Sequence, residues 1–161
     1  ADAVTAELST IAPAAAGYFT EKRAAFTTTM APYSTLIEKI KAGASGKSYG
    51  ATESVFDYSA EALGLVNKTP QGYQRAAANE SEPAPADIEA FRKVLANREI
   101  DVLIYNTQTE GSIPEQIRAA AEESGIPVVE VTETVAPGES TFVGWQDKQL
   151  TALAEALGVS D

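Results

Sequence analysis

The 161-residue sequence contains neither cysteine nor histidine. Without cysteine there are no disulfides and no thiolate metal sites, and the chain suits either the cytosol or a disulfide-free exported protein. Without histidine the usual base of a hydrolase triad is missing, as is the commonest transition-metal ligand. Positive charge is scarce too. Lys and Arg total 12 against 23 Asp and Glu, a net charge of −11, which disfavours contact with nucleic acid phosphates or anionic lipid and makes a cation the easier partner. No apolar run approaches transmembrane length. No glycine-rich phosphate loop is present either: Gly43 to Ser48 ends in Gly-Lys-Ser, but lacks the preceding strand and the full glycine spacing.

What the chain does have is a 44% hydrophobic composition with 11 Gly and 8 Pro, enough for a packed domain and too ordered for wholesale disorder. The acidity is uneven. Residues 101–161 carry eleven acids against only Arg118 and Lys148, whereas the first hundred residues are nearly balanced. No segment reads as an export signal, and the chain opens at Ala1 without an initiator methionine, as a processed, trimmed or excised piece would.

Periodicity predicts a short helix over Ala3–Leu8, a break at Ser9 to Pro13, and a long helical stretch from Ala14 to about Lys41. Tyr18, Phe19, Phe26, Met30, Tyr33, Leu36, Ile37 and Ile40 form its apolar stripe. Pro32 predicts a kink or two abutting helices. Short strand-like runs then alternate with helices. Ser48–Thr52 leads into a helix opening at Glu53, Leu65-Val66 is followed by helical 70–78, and a helix from about Asp87 precedes the apolar run Val102–Tyr105. A helix from Pro114 precedes Ile126–Val131, and Thr141–Leu157 closes the chain. This alternation predicts an α/β fold, with a small, mainly parallel sheet flanked by helices.

Glu53 and Glu133 stand out because each directly follows a predicted strand. If those strands lie side by side, both carboxylates emerge at the carboxyl edge of the sheet, where open α/β folds place ligands. Hard oxygen donors in such a crevice point to a metal ion; the ordinary alternative is a pair of solvated glutamates at strand ends. Asn106 and Gln108, at the end of the most apolar strand, would orient Glu133 or close over the ion, or else simply cap their loop. Glu110 in the same segment reads as a solvated acid. The isolated aromatics Tyr49, Tyr58, Tyr73 and Trp145 read as core residues.

Thr52-Glu53-Ser54-Val55-Phe56-Asp57-Tyr58, the acidic-proline stretch Glu82 to Asp87, Asp101 to Gln108, and Ile126 to Thr134 together resemble, in order and spacing, one family. It is the zinc/manganese-type substrate-binding proteins of bacterial ABC metal importers, specifically their carboxyl-terminal lobe with the interlobe helix. The resemblance implies residues 1–45 as interlobe helical segment and 46–161 as the lobe. It also implies an amino-terminal lobe, not among these residues, that supplies two histidine ligands and would cover Tyr18, Phe19, Phe26 and Met30, leaving them incompletely buried here. Glu53 falls at the third metal ligand and Glu133 at the fourth, where the family usually has aspartate. The implied function is extracytoplasmic Mn or Zn binding, periplasmic or at the cell surface, with an ABC permease as partner. This chain would carry half a site, and no enzymatic activity. The alternative is a metal-free protein-binding or adaptor domain that retains the lobe fold.

Overall fold

The computed structural model describes residues 1–109 and 111–159, so Glu110 lies outside the described residues. The chain divides into two compact units, Ala1–Thr35 and Leu36–Asp161. The first unit is helical: α1 (Asp2–Ile11), one tight turn at Pro13–Ala15, and the opening turns of α2 (Ala16–Ala44). Its many hydroxyl residues are accommodated by bonding back one turn. Ser9 Oγ donates to Thr5 O at 2.8 Å and Thr20 Oγ1 to Ala16 O at 3.0 Å. Arg23 Nε donates to Asp2 Oδ1 at 2.6 Å, and that bond and charge hold the Asp2 carboxyl below its ordinary range. α1 outruns its predicted end because Ala12 N–H closes a last turn onto Leu8 O at 2.9 Å. α2 passes through Pro32 as one helix, since proline withholds a donor but its fixed φ is itself helical. Tyr18 and Phe26 remain 58% and 50% exposed, and Phe19 and Met30 are half-buried.

The second unit is the α/β fold predicted from the alternation. Its strands are β1 (Ser48–Ala51), β2 (Val66–Asn67), β3 (Val102–Asn106) and β4 (Val128–Val131), all parallel in the order β2-β1-β3-β4. Its helices are α3 (Asp57–Leu63), α4 (Gln71–Ala78), α5 (Pro85–Ala96), α6 (Ser112–Glu123) and α7 (Phe142–Ala156), besides the end of α2.

All five residues of β3 are buried, as its unbroken apolar run predicts for a central parallel strand. Residue parity separates the two faces of the sheet. Leu103 joins Tyr73, Phe91, Leu95, Ile117 and Ile126 in the core beneath α4, α5 and α6. On the same face Arg118 of α6 lies over the Tyr105 ring at 5.1 Å and pairs with Glu130 at 2.8 Å. Val129 and Val131 have the opposite parity and are buried on the other face. α7 packs against β4, with Leu150 and Leu153 buried, and its amino end is capped by Thr141 Oγ1 accepting from Gly144 N at 3.1 Å.

Helix ends in this unit use one hydrogen-bond pattern, with the chain turning through a left-handed residue. Gly64 and Gly125 fill that position after α3 and α6, but after α4 and α5 it is held by Glu80 (φ 51°) and Arg98 (φ 54°). The predicted helix at Glu53 starts later, at Asp57. Phe56 turns inward to 5% exposure, and Asp57 N bonds to Ser54 O at 3.0 Å, so residues 53–56 are a turn.

Two measurements test this packing. A Cβ on Gly50 of β1 would sit 2.8 Å from Phe91 Cε2 and 3.1 Å from Ile100 Cδ1, so Gly50→Ala should lower unfolding free energy by about 1–3 kcal/mol in a urea titration. Asp101 Oδ2 accepts from Ser48 N and Oγ, each at 2.7 Å, and those bonds lower its pKa. A carboxyl depressed in the folded state contributes stability above its unfolded pKa and loses it as pH falls through the folded one. Asp101→Asn should therefore cost about 1 kcal/mol at pH 7, and its deficit against the parent protein should close on acidification.

Candidate functional site

Glu53 leaves the carboxyl end of β1 and Glu133 that of β4, so both reach the same edge of the sheet. The two strands are not neighbours: β3 lies between them, which corrects the side-by-side arrangement considered from sequence. Two interstrand spacings separate their backbones by roughly 10 Å, a gap that long glutamate side chains can narrow from both sides.

The end of β3 fills that gap with Asn106, which is 1% exposed. Its backbone N–H donates to Thr52 Oγ1 at 3.2 Å, its Nδ2 donates to Glu133 Oε1 at 2.9 Å, and its Oδ1 accepts from Gln108 N at 3.0 Å. One residue thus touches both sides, the residue before Glu53 through its backbone N–H and the carboxylate of Glu133 through its side-chain amide. Gln108 completes the frame, its Oε1 accepting from Glu133 N at 2.7 Å and Thr134 N at 3.2 Å while its Nε2 donates to Thr134 Oγ1 at 2.8 Å. These bonds leave one oxygen of the exposed Glu133 carboxylate without a side-chain donor among the described residues.

Sequence reasoning missed three supports of this edge. Thr52 is 1% exposed and serves as acceptor for Asn106. Gln149 of α7 accepts from Thr132 N at 2.7 Å, and Trp145 Nε1 donates to Thr132 Oγ1 at 2.8 Å. Trp145 is therefore the anchor of the turn that carries Glu133, not a plain core residue. A tryptophan at the start of a helix following a Thr-Glu-Thr loop was the available signal. Tyr58 also departs from expectation: it is 88% exposed, since α3 is short and only Ala60 and Leu63 face inward.

Glu53 is half-buried, and desolvation raises its pKa. The Thr109 hydroxyl beside it works in the opposite direction, while the charges of Glu133 and Glu80 push further upward. The negative charge of Glu53 in turn adds to burial in pushing the Tyr73 phenol up. Glu53 also borders a cleft of about 390 Å³, lined among others by Thr52, Tyr73, Glu80, Glu82 and Thr109; Glu133 is not part of that lining. Among the described residues no three acidic side chains gather closely enough to hold a metal ion. The edge therefore offers two carboxylates and neutral amides, and any ion held there needs further donors.

Comparison with known proteins gives the family and the fold. The family model described as ZnuA, zinc-uptake complex component A, periplasmic, matches residues 1–156. No curated protein matches the chain. Among solved structures, the periplasmic zinc binding protein TroA from Treponema pallidum superposes with TM-score 0.71 at 19% identity, over 97% of this chain and 58% of that one. The laminin binding protein Lmb of Streptococcus agalactiae, described as bifunctional with adhesin and metal transporting activity, gives 0.70 at 19%, over 96% and 58%. The binding protein FpvC from Pseudomonas aeruginosa in complex with Mn2+ gives 0.68 at 15%, over 98% and 58%. At these identities the likeness is one of fold, and this chain spans under three-fifths of each relative.

The raised pKa of Glu53 yields a signed expectation. A carboxyl whose folded pKa is raised favours the native state in its protonated form; that advantage is complete below the unfolded pKa and is lost as pH rises through the folded one. In metal-free protein, Glu53→Gln should raise the melting temperature at pH 7, and the gain should shrink toward pH 4. A melting temperature unchanged or lowered at pH 7 would show that Glu53 is not held against its desolvation.

Proposed function

We propose, from the fact that this chain belongs to the periplasmic zinc-uptake complex component A family, that it is the metal-binding carboxyl-terminal lobe of an extracytoplasmic receptor for a bacterial ABC importer. Its cargo is Mn(II) or Zn(II), and its partner is the importer's permease. In this reading residues 1–45 form the interlobe helical segment and 46–161 the lobe. Glu53 and Glu133 are the lobe's metal ligands, and a second lobe supplies the rest of the shell.

The observation that carries this reading is the Asn106 bridge: a buried residue whose side-chain amide donates to Glu133 at 2.9 Å and whose backbone N–H donates to Thr52, next to Glu53, at 3.2 Å. A pair of merely solvated strand-end glutamates needs no such frame. The donor chemistry fits half a site. Two carboxylate oxygens are hard ligands that favour Mn(II) over softer ions, and a tetrahedral zinc shell would need at least two further donors. No nucleophile and base are required; the role of the chain is to bind, orient and release a cation. Asn106 and Gln108 contribute by holding Glu133 in one orientation, which lowers the ordering cost when the ion arrives.

Calorimetric titration of Mn(II) and Zn(II) tests the assignment. The 161 residues alone should bind weakly and discriminate poorly, and in the two-lobed protein Glu53→Gln or Glu133→Gln should weaken binding at least about tenfold, roughly 1.4 kcal/mol. Asn106→Leu should weaken it less, since it loosens a ligand without removing one. Micromolar, metal-selective binding by these residues alone would contradict the half-site. Absence of metal binding in the two-lobed protein would favour the metal-free adaptor reading instead.

A further inference from the structure

The cleft that Glu53 helps to line has features that a point-like metal ion does not use. At about 390 Å³ it lies within the range of small-molecule sites, roughly 300–1,000 Å³. Its lining carries three carboxylates, from Glu53, Glu80 and Glu82, and no basic residue among those described. They do not form a three-carboxylate metal site, since no three acidic side chains among the described residues gather closely enough to hold an ion. The same lining offers apolar surface from Ala77, Pro83 and Ile113 beside the hydroxyl residues Thr52, Ser81, Thr109 and Ser112.

Tyr73 supplies an independent indication of a ligand. Its ring packs edge-on against Phe91 at 4.9 Å and the residue is 2% exposed, yet its hydroxyl makes no hydrogen bond to a described residue. No wholly enclosed side-chain polar atom among the described residues lacks a partner. The Tyr73 hydroxyl therefore opens onto the cleft it lines. A phenol oxygen at the base of a cavity is positioned to accept from a ligand N–H while carboxylates take its charge.

Glu80 adds to the picture through its backbone. It occupies the left-handed position after α4 at φ 51°, a place where glycine is strain-free and where the neighbouring helices α3 and α6 use glycine. A charged side chain is kept there at the cost of local strain.

We propose that this cleft binds a small organic dication, an aliphatic chain bearing ammonium or guanidinium groups at its ends. The charged ends would reach separate glutamates, the methylene stem would lie against Ala77, Pro83 and Ile113, and one nitrogen would donate to Tyr73. The proposal goes beyond metal binding and does not rest on it. Glu133 plays no part, and Tyr73 and Glu80 are outside the proposed metal ligand set. Because Glu53 borders both places, Mn(II) and the dication should compete wherever Glu53 also ligates metal.

The test is calorimetric titration of the chelator-treated 161-residue chain with agmatine and putrescine, with ethylamine as single-charge comparison. Saturable 1:1 binding of at least one dication is expected, at least about fivefold tighter than ethylamine and weakened at least about fivefold by Tyr73→Phe, the scale of one hydrogen bond. Glu80→Gly should weaken binding similarly while raising the melting temperature, so the loss cannot come from unfolding. Glu89→Gln, on the exposed side of α5, removes the same charge at a distance and should leave binding unchanged. The proposal is overturned by no saturable binding up to about 10 mM, by equal affinity for ethylamine, by indifference to Tyr73→Phe or Glu80→Gly, or by an equal loss in Glu89→Gln. Dication binding by this chain with no metal binding by the two-lobed protein would refute only the metal assignment, and metal binding by the two-lobed protein with no dication binding here only this one.

Discussion

A primary amide at the end of a strand buried on both faces has nowhere to find water, so every polar group of Asn106 must be satisfied by protein. That requirement organises the carboxyl edge of the sheet. An unpaired buried amide costs on the order of 1–3 kcal/mol per group, more than most single surface contacts return. The backbone N–H of Asn106 reaches Thr52, its Nδ2 reaches Glu133, and its Oδ1 takes the N–H of Gln108. The loops after β1 and β4 are thereby tied to a fully buried strand.

The frame extends outward from there. Gln108 holds the backbone of Glu133 and Thr134, while Trp145 and Gln149 of α7 hold Thr132 from the opposite side. The turn that carries Glu133 is thus clamped between β3 and α7. Glu53 is held differently: its partners are mostly repulsive, and burial together with neighbouring negative charges raises its pKa. The edge thus pairs a carboxylate fixed by neutral amides with one raised by burial and neighbouring charge, an arrangement whose mutual repulsion a cation would relieve. The same negative field extends into the cleft where the Tyr73 hydroxyl opens.

Much of the fold was legible because its signals are local. The unbroken apolar run Val102–Tyr105 is of the type expected of a buried parallel strand, and all five residues of β3 are buried. Glu53 and Glu133 were legible as candidates because a polar residue directly after a strand must emerge at the sheet edge. Boundaries were less so. Phe56 delays α3 by turning into the core, and nothing in the residues around it reveals which way it turns. The roles of Trp145 and Tyr73 were hidden because an aromatic at helical spacing looks the same whether its polar tip is idle, bonded to Thr132, or open to a cleft.

The sequence by itself determined the α/β alternation, the acidic bias and the absence of every nitrogen or sulfur metal ligand supplied by His or Cys, since periodicity and composition follow from residue order alone. Only the tertiary structure decided that β3 separates β1 from β4. Strand order depends on which helix crosses which face, and the crossing is set by packing over long sequence separations. That order places Asn106 between Glu53 and Glu133 instead of placing the two carboxylates side by side. The physical reason is that β3, an interior strand, hydrogen-bonds to β1 on one side and β4 on the other, so the residue that ends it can reach the loops that follow both.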